Sequence, residues 1–405
     1  MLPPAARICC LDLDTFFVSV ERLLDPSLEG QPVIVGGRPG QRGVVTACSY
    51  EVRHLGVHSG MSLTAAAKLA PNAIFLPTRS GTYGSYAGRV REVIERTCPV
   101  VQVASIDEFY LDLSGCERLY ARPADGTGDQ TIVRTVTEMA AAIRAEVGLP
   151  ASVGIATCKP VSKVACCLAK PRGVLMVPAG GEAAFLQPLP VRRLPGIGPV
   201  AERKLEELGI QTLGQVAAAP LQDLRRVLGA WAVSIKQTSA GRHGSTDLER
   251  DRPAFQEHDP VRGTVGSISN ERTFRHDVGD SRVIEAMLSG LCERVCWRAR
   301  KRGIKARTVT LKLRYADFHT ITRARTITPT CSELELYPVI QEIFEAAYTR
   351  RLPVRLLGIA LSNLGLFDDQ LELFQTGQPE LHGAMDQIRE KFGFDAIRLA
   401  PNKKR

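Results

Sequence analysis

No stretch of this 405-residue sequence stays apolar for the roughly 20 residues that a membrane-spanning helix needs, because charge, glycine or proline breaks every apolar run first. No basic segment near the N-terminus leads into a long apolar run, so the expected address is the cytoplasm. The eleven cysteines include the adjacent pairs Cys9/Cys10 and Cys166/Cys167 but form neither CxxC pairs nor Cys/His zinc spacing. That excludes a structural zinc site and a disulfide framework, and leaves small buried hydrophobes in a reducing compartment. Internal repeats and low-complexity tracts are absent too. Acidic residues are scarce in one place: between Leu291 and Arg325 only Glu293 and Asp317 face eleven lysines and arginines, while the rest of the chain is close to neutral.

What is present is a chain with 44% hydrophobic and 23% charged residues, long enough to bury several cores in about two to four domains. Residues 7 to 14 read as a strand, 15 to 24 as a helix, and 32 to 36 and 43 to 47 as strands. Helical periodicity returns at 61 to 70 and 82 to 97, and VQVASIDEFYLDLSG reads as two strands meeting at Ile106, Asp107 and Glu108. A helix over 130 to 147, a strand over 151 to 156 and a helix over 159 to 169 complete an α+β unit. Short helices follow to Gly241, then the aperiodic stretch Arg242 to Pro260 reads as a linker. From Val261 to Leu366 the order strand, helix, two strands, helix, strand gives a second compact domain. Residues 367–405 read as a flexible tail.

The chemistry concentrates in acidic residues. In LDLDTFFVSVE, Leu11 to Glu21, Asp12 and Asp14 are two apart, and alternation puts both on one face of a strand. Strand-edge charges facing water would explain them equally well. Asp107 and Glu108, however, sit among apolar Val103, Ile106, Phe109 and Leu111, where carboxylates need pairing or a metal. Two divalent ions roughly 3.5–4 Å apart on shared carboxylates stabilise an in-line phosphoryl displacement, and oxygen-only ligands favour magnesium over zinc. In YEVR, Tyr50 and Arg53 face the same side of a helical turn as a phosphate-directed pair, and Lys163 adds a point charge. LPGIGPVAERKLEELGI, Leu194 to Ile210, opens an amphipathic helix with Gly196 and Gly198, a pattern that offers unpaired amides to a DNA backbone. Arg294, Arg298, Lys301 and Lys305 form a basic helical stripe opposite apolar Ile284, Leu288, Leu291 and Val295, and Arg323 extends it; such a stripe suits phosphates, though a solvated charged face is the plainer alternative.

From Ile8 to Leu366 the motifs CLDLDTFFVSVE, SYEVRHLGVHSGM, SIDEFYLDLSG, SVGIATCKPVSKVACCLAKPRG, LPGIGPVAERKLEELGI and SISNERTF stand in the order and at the spacing of one family. In them the chain resembles the Y-family translesion DNA polymerases of the bacterial polymerase IV type. The resemblance implies a right-hand α+β multidomain fold: palm at 1–14 and 80–170, small fingers at 15–79, a helical thumb with a helix-hairpin-helix at 171–241, a linker at 242–260 and a C-terminal little finger at 261–366. It implies Asp12 and Asp107 as shared ligands of two Mg2+ ions with the Leu13 carbonyl, and Glu108 as third catalytic carboxylate. Asp14 matches a less essential acidic position. Phe17 falls at the steric-gate position that excludes a ribose 2′-hydroxyl, Phe16 beside it at the nucleotide, and Tyr50, Arg53 and Lys163 match triphosphate contacts.

Two positions depart from the family pattern. Ala47 stands where many members carry threonine, and Cys158 where an asparagine precedes the lysine of an NK pair. Beyond the little finger, QLELF at Gln370 to Phe374 resembles the peptide by which bacterial polymerases dock on the sliding clamp, with Gln370 anchoring and Leu371, Leu373 and Phe374 filling an apolar pocket. The expectation is a monomeric, magnesium-dependent DNA polymerase acting on primer-template DNA and deoxynucleoside triphosphates, without proofreading. A catalytically silent clamp adaptor and a palm-type nucleotide cyclase are the rival classes.

Overall fold

The computed structural model describes residues 6–79, 81–242, 266–366 and 379–398, in two compact units divided between Phe255 and Gln256. The N-terminal unit is organised around a five-stranded sheet of order β5-β6-β1-β7-β8. Its strands are β1 (Ile8–Leu13), β5 (Val100–Val103), β6 (Glu108–Asp112), β7 (Ala151–Ala156) and β8 (Val174–Met176). Strands β1 and β7 are almost wholly buried, which is why ICCLDL and ASVGIA read as continuous apolar runs rather than alternations. The Gly128–Val147 helix buries Ile132, Val136 and Ile143 in the core with Leu11, Phe109, Leu111 and Val153. It starts where the Thr127 side chain accepts from the Gln130 amide and ends at left-handed Gly148.

The Lys159–Ala169 helix lies unusually close to β7. A Cβ at Gly154 would come within 2.0 Å of the Ser162 carbonyl oxygen and 2.1 Å of the Cys166 amide nitrogen, so only glycine permits this approach. A small second sheet, β3-β2-β4, is made of β2 (Val33–Val35), β3 (Ala47–Cys48) and β4 (Ile74–Leu76), with its own core of Ile34, Val45, Val52, Val57 and Leu63. Short helices between Glu182 and Ser239 pack around Leu194, Ile197, Leu205, Leu213 and Leu224. Strand β8 pairs in parallel with β7, so the five-stranded sheet runs past residue 170, into the segment read from sequence as thumb.

The C-terminal unit is a four-stranded antiparallel sheet of order β11-β10-β12-β9: β9 (Ser267–Val278), β10 (Lys305–Tyr315), β11 (Thr320–Thr330) and β12 (Val354–Gly365). In β10, Val309, Leu311, Leu313 and Tyr315 are buried and alternate with the more open Thr310, Lys312 and Arg314. The Ser281–Arg300 and Glu333–Ala347 helices join this core through Ile284, Leu288, Val295, Leu336 and Ile340. The reading of 367–405 as one flexible tail is corrected for 379–398. There a Pro379–Phe392 helix docks on this unit, burying Met385 and ion-pairing the fully buried Arg389 with Glu293 and Glu333. The peptide Gln370 to Phe374 lies outside the described residues. Among the described residues no helix is long and apolar enough to cross a membrane.

Candidate active site

Strand pairing brings the acidic residues together. Asp12 sits opposite Glu108 in the β1–β6 register, and the Leu13 amide donates to the Asp107 carbonyl at 2.9 Å. Three carboxylates thus converge at neighbouring strand ends, and each has a donor. Lys170 Nζ lies 2.5 Å from Asp12 Oδ1, Lys163 Nζ lies 2.8 and 2.5 Å from the Glu108 oxygens, and the Ser105 hydroxyl donates to Asp107. Asp12 and Asp107 open onto a cleft of about 150 Å³ whose walls include Phe17, Arg53 and Lys170. Burial pushes the Asp12 carboxyl up, Asp107 and Glu108 push it further, and Lys170 opposes them. Burial alone would lower the two lysines, but Asp12 and Glu108 hold Lys170 and Lys163 above the ordinary lysine value.

The structure separates residues that the sequence put together. Asp14 lies past the end of β1, where Thr15 turns left-handed at φ 45°, and strand alternation no longer applies. Its buried carboxylate accepts from the Ser152 hydroxyl, the Arg172 amide at 2.9 Å and the Tyr50 hydroxyl at 3.2 Å. The Tyr50 phenol, pushed up to about 12 by burial and by Asp14, is therefore directed at the Asp14 carboxylate. Arg53 does line the cleft; its guanidinium rests 4.9 Å over the Tyr50 ring, as their three-residue spacing predicts. Phe16 lines the cleft from a buried core position. Phe17 is half-buried and stacks on Tyr83 with ring centroids 3.9 Å apart and planes 10° from parallel. Lys163 is not a wall of the cleft; Lys170, from the turn after the same helix, is. Sequence reasoning missed Lys170, although KPRG placed a cation seven residues, about two helical turns, beyond Lys163.

Among the described residues no cluster of three or more His, Cys, Asp or Glu side chains is arranged to hold a metal, and lysine ammoniums lie on the carboxylates of Asp12 and Glu108. The donor set itself is carboxylate and backbone oxygen, and the Cys10 thiol 3.8 Å from Glu108 Oε1 is held protonated, its pKa raised by Cys166 and by burial.

Residues 11–167 match the impB/mucB/samB family, 180–210 the IMS family HHH motif, and 265–373 the impB/mucB/samB family C-terminal domain. The chain is 38% identical over 399 residues to a DNA polymerase IV of Dehalococcoides mccartyi, with 96% of each chain covered. It is 35% identical over 404 residues to a DNA polymerase IV of Desulfatibacillum aliphaticivorans, covering 96% of this chain and 95% of that one. A solved Y-family DNA polymerase chimera, 24% identical, superposes with a TM-score of 0.73 over 88% of this chain and 98% of its own, a likeness of fold. The chain belongs to the Y family of translesion DNA polymerases.

Its fold is the right-hand α+β arrangement of that family. Within this Y-family chain the departure at Ala47 leaves a methyl group on the cleft wall, where the hydroxyls come from Thr15, Thr46 and Ser59. Cys158 occupies the N-cap of the Lys159–Ala169 helix and makes no side-chain capping bond there. At the hairpin, Gly196 is left-handed at φ 97° and Gly198 caps the Pro199–Glu206 helix. The basic stripe fares differently. Arg294 pairs with Asp395 at 3.5 Å and stacks over Phe394, Lys301 pairs with Glu390 at 3.3 Å, and Arg298 donates to the Ser269 carbonyl. The C-terminal segment borders this stripe and supplies acidic partners to Arg294 and Lys301, whose side chains stay partly exposed at 37% and 46%. Lys305 opens β10, and Arg323 is exposed in mid-β11.

Proposed function

We propose that this Y-family polymerase extends a DNA primer by attack of its 3′-hydroxyl on the α-phosphorus of a deoxynucleoside triphosphate, with Asp12, Asp107 and Glu108 as the catalytic carboxylates. The observation that carries this reading is that Asp12 and Asp107 open onto one cleft with Phe17 and Arg53, so that acidic, sugar-sized and cationic walls surround one volume. The oxygen-only donors, including the Leu13 carbonyl, suit magnesium, two ions of which, when bound, supply positive charge to attacking and leaving oxygens. Arg53 and Lys170 place cationic groups for the triphosphate, and Phe17 sets its ring against the sugar. Catalysis here is positioning and charge neutralisation, with no covalent step by the protein.

On this reading the five-stranded sheet serves as palm, the small sheet as fingers, the 182–239 helices as thumb and the C-terminal sheet as little finger. Gly196, Gly198 and Arg323 supply sequence-independent backbone contacts. A sliding clamp is the partner for Gln370 to Phe374, and the enzyme works as a cytoplasmic monomer. The test is single-nucleotide incorporation by Asp107→Ala and Glu108→Ala alongside primer-template binding. Incorporation should fall by at least ~10²-fold with binding within about twofold of the parent; binding lost in step with incorporation would refute the assignment.

A further inference from the structure

Phe17 alone does not fix the position of its own ring. A phenylalanine turns about two side-chain dihedrals, and only tight packing pins a half-buried ring. The surface it rests on is Tyr83, of the Thr82–Glu95 helix, stacked 3.9 Å away and nearly parallel. Tyr83 is itself held at its far end. Its hydroxyl donates to Glu21 Oε1 at 2.7 Å and accepts from the Arg79 amide at 3.3 Å. Glu21, on the Phe16–Leu24 helix one turn beyond Phe17, is 1% exposed, and its carboxylate receives Arg79 Nε at 3.2 and 2.9 Å.

For stability alone this is a costly arrangement. A phenylalanine at 83 would stack on Phe17 as well and would need no buried carboxylate beneath it, whereas taking a carboxylate out of water carries a desolvation penalty that pairing must offset. What the hydroxyl adds is direction, because a two-sided hydrogen bond fixes both the rotation and the depth of the Tyr83 ring. Discrimination against one extra oxygen on a sugar depends on such placement to a fraction of an ångström.

We infer that Glu21 is a positioning residue for sugar selection, acting through the Tyr83 hydroxyl to set the depth of the Phe17 ring in the nucleotide cleft. The inference rests on the reading of Phe17 as the steric gate. Arg79, half in solvent, neutralises Glu21 from the outside and completes the chain Arg79–Glu21–Tyr83–Phe17.

The experiment measures kcat/KM for a deoxynucleoside triphosphate and for its ribonucleotide counterpart, with parent enzyme, Phe17→Ala, Tyr83→Phe, Glu21→Ala and the Tyr83→Phe/Glu21→Ala double variant. The ribonucleotide share should rise most in Phe17→Ala. It should rise roughly fivefold in Tyr83→Phe and in Glu21→Ala, and no further in the double variant, because both changes cut the same link. Where Glu21→Ala does not fold, Tyr83→Phe carries the test, since it keeps the ring and removes one oxygen. An unchanged ribonucleotide share in Phe17→Ala overturns the gate itself. A raised share in Phe17→Ala with parental selectivity in Tyr83→Phe and Glu21→Ala overturns the positioning role and leaves the gate standing. Equal losses for both sugars in Glu21→Ala mark it as structural only and also overturn the inference.

Discussion

The two units bury the same kind of ion pair and finish it with different cations. At the strand ends of the N-terminal unit, Asp12 and Glu108 meet Lys170 and Lys163, each ammonium serving one carboxylate beside an open cleft. In the C-terminal unit, Glu293, Glu333 and Asp386 meet Arg389 and Arg300. There one guanidinium reaches two acidic side chains at once, and Arg389, Glu293 and Glu333 are at most 2% exposed. An ammonium is a compact, strongly hydrated charge on a flexible stem, whereas guanidinium is a planar fork whose donors match carboxylates. The lysine pairs are therefore exchangeable, and their carboxylates can pass to another cation. The arginine pairs are locks that fasten residues 379–398 to the unit. On the function proposed above, the first kind serves carboxylates that must take up another cation, and the second serves a helix that docks by charge.

The largest expected effect lies at the lock. Arg389→Ala leaves Glu293 and Glu333 charged and buried with one partner fewer, which costs about 3–5 kcal/mol. It should lower the denaturant midpoint of the C-terminal unit clearly, while Lys163→Met, at a side chain 35% exposed, should move stability much less. Equal losses in the two variants would end the distinction between lock and exchangeable pair.

A second, smaller effect sharpens the other side. Lys170→Met removes a cation from the cleft, and KM for the deoxynucleotide should rise about tenfold with stability nearly kept. The pH profile gives the sign independently. Lys170 lowers the Asp12 carboxyl against the upward push of burial, Asp107 and Glu108, so its loss lets Asp12 rise further. The variant should lose activity at higher pH than the parent as the solution is acidified. A profile that stays in place would show that Lys170 does not govern Asp12.

Much of this was legible in the sequence, and the parts that were not share a physical cause. The Asp107–Glu108 junction stood out because apolar neighbours on both sides promised burial, which Phe109 and Leu111 keep for Glu108 while Val103 and Ile106 are exposed; the Gly128–Val147 helix stood out because its apolar period is regular. Asp14 was misplaced because alternation predicts a face only while the strand lasts, and β1 stops at Leu13. Lys170 went unread because a lysine in a turn has no period; its partner lies 158 residues away. The Pro379–Phe392 helix was hidden for a related reason. Its docked face includes His382, Met385, Asp386 and Arg389, so three of the four residues that mark the interface look like solvent-facing positions. Hydrophobic periodicity cannot reveal a helix that docks by ion pairs.

The smallest expected effect separates the shape of the cation from its burial. Arg122 and Glu138 form the same planar fork as the buried arginines, with Nη1 and Nη2 at 2.7 and 2.8 Å from the two carboxylate oxygens, but the side chains are 56% and 47% exposed. Water and salt screen such a pair, and holding two long side chains in one geometry consumes most of what the contact contributes. Arg122→Ala should therefore change stability by no more than about 0.5 kcal/mol in physiological salt, several times less than Arg389→Ala. The measurement is the shift in denaturant midpoint for both variants in one buffer. A small shift at Arg122 assigns the locking of the C-terminal helix to a guanidinium fork that has been desolvated. A shift as large as that of Arg389→Ala would assign it to the fork alone, and the contrast between the two units would then rest on lysine against arginine, not on burial.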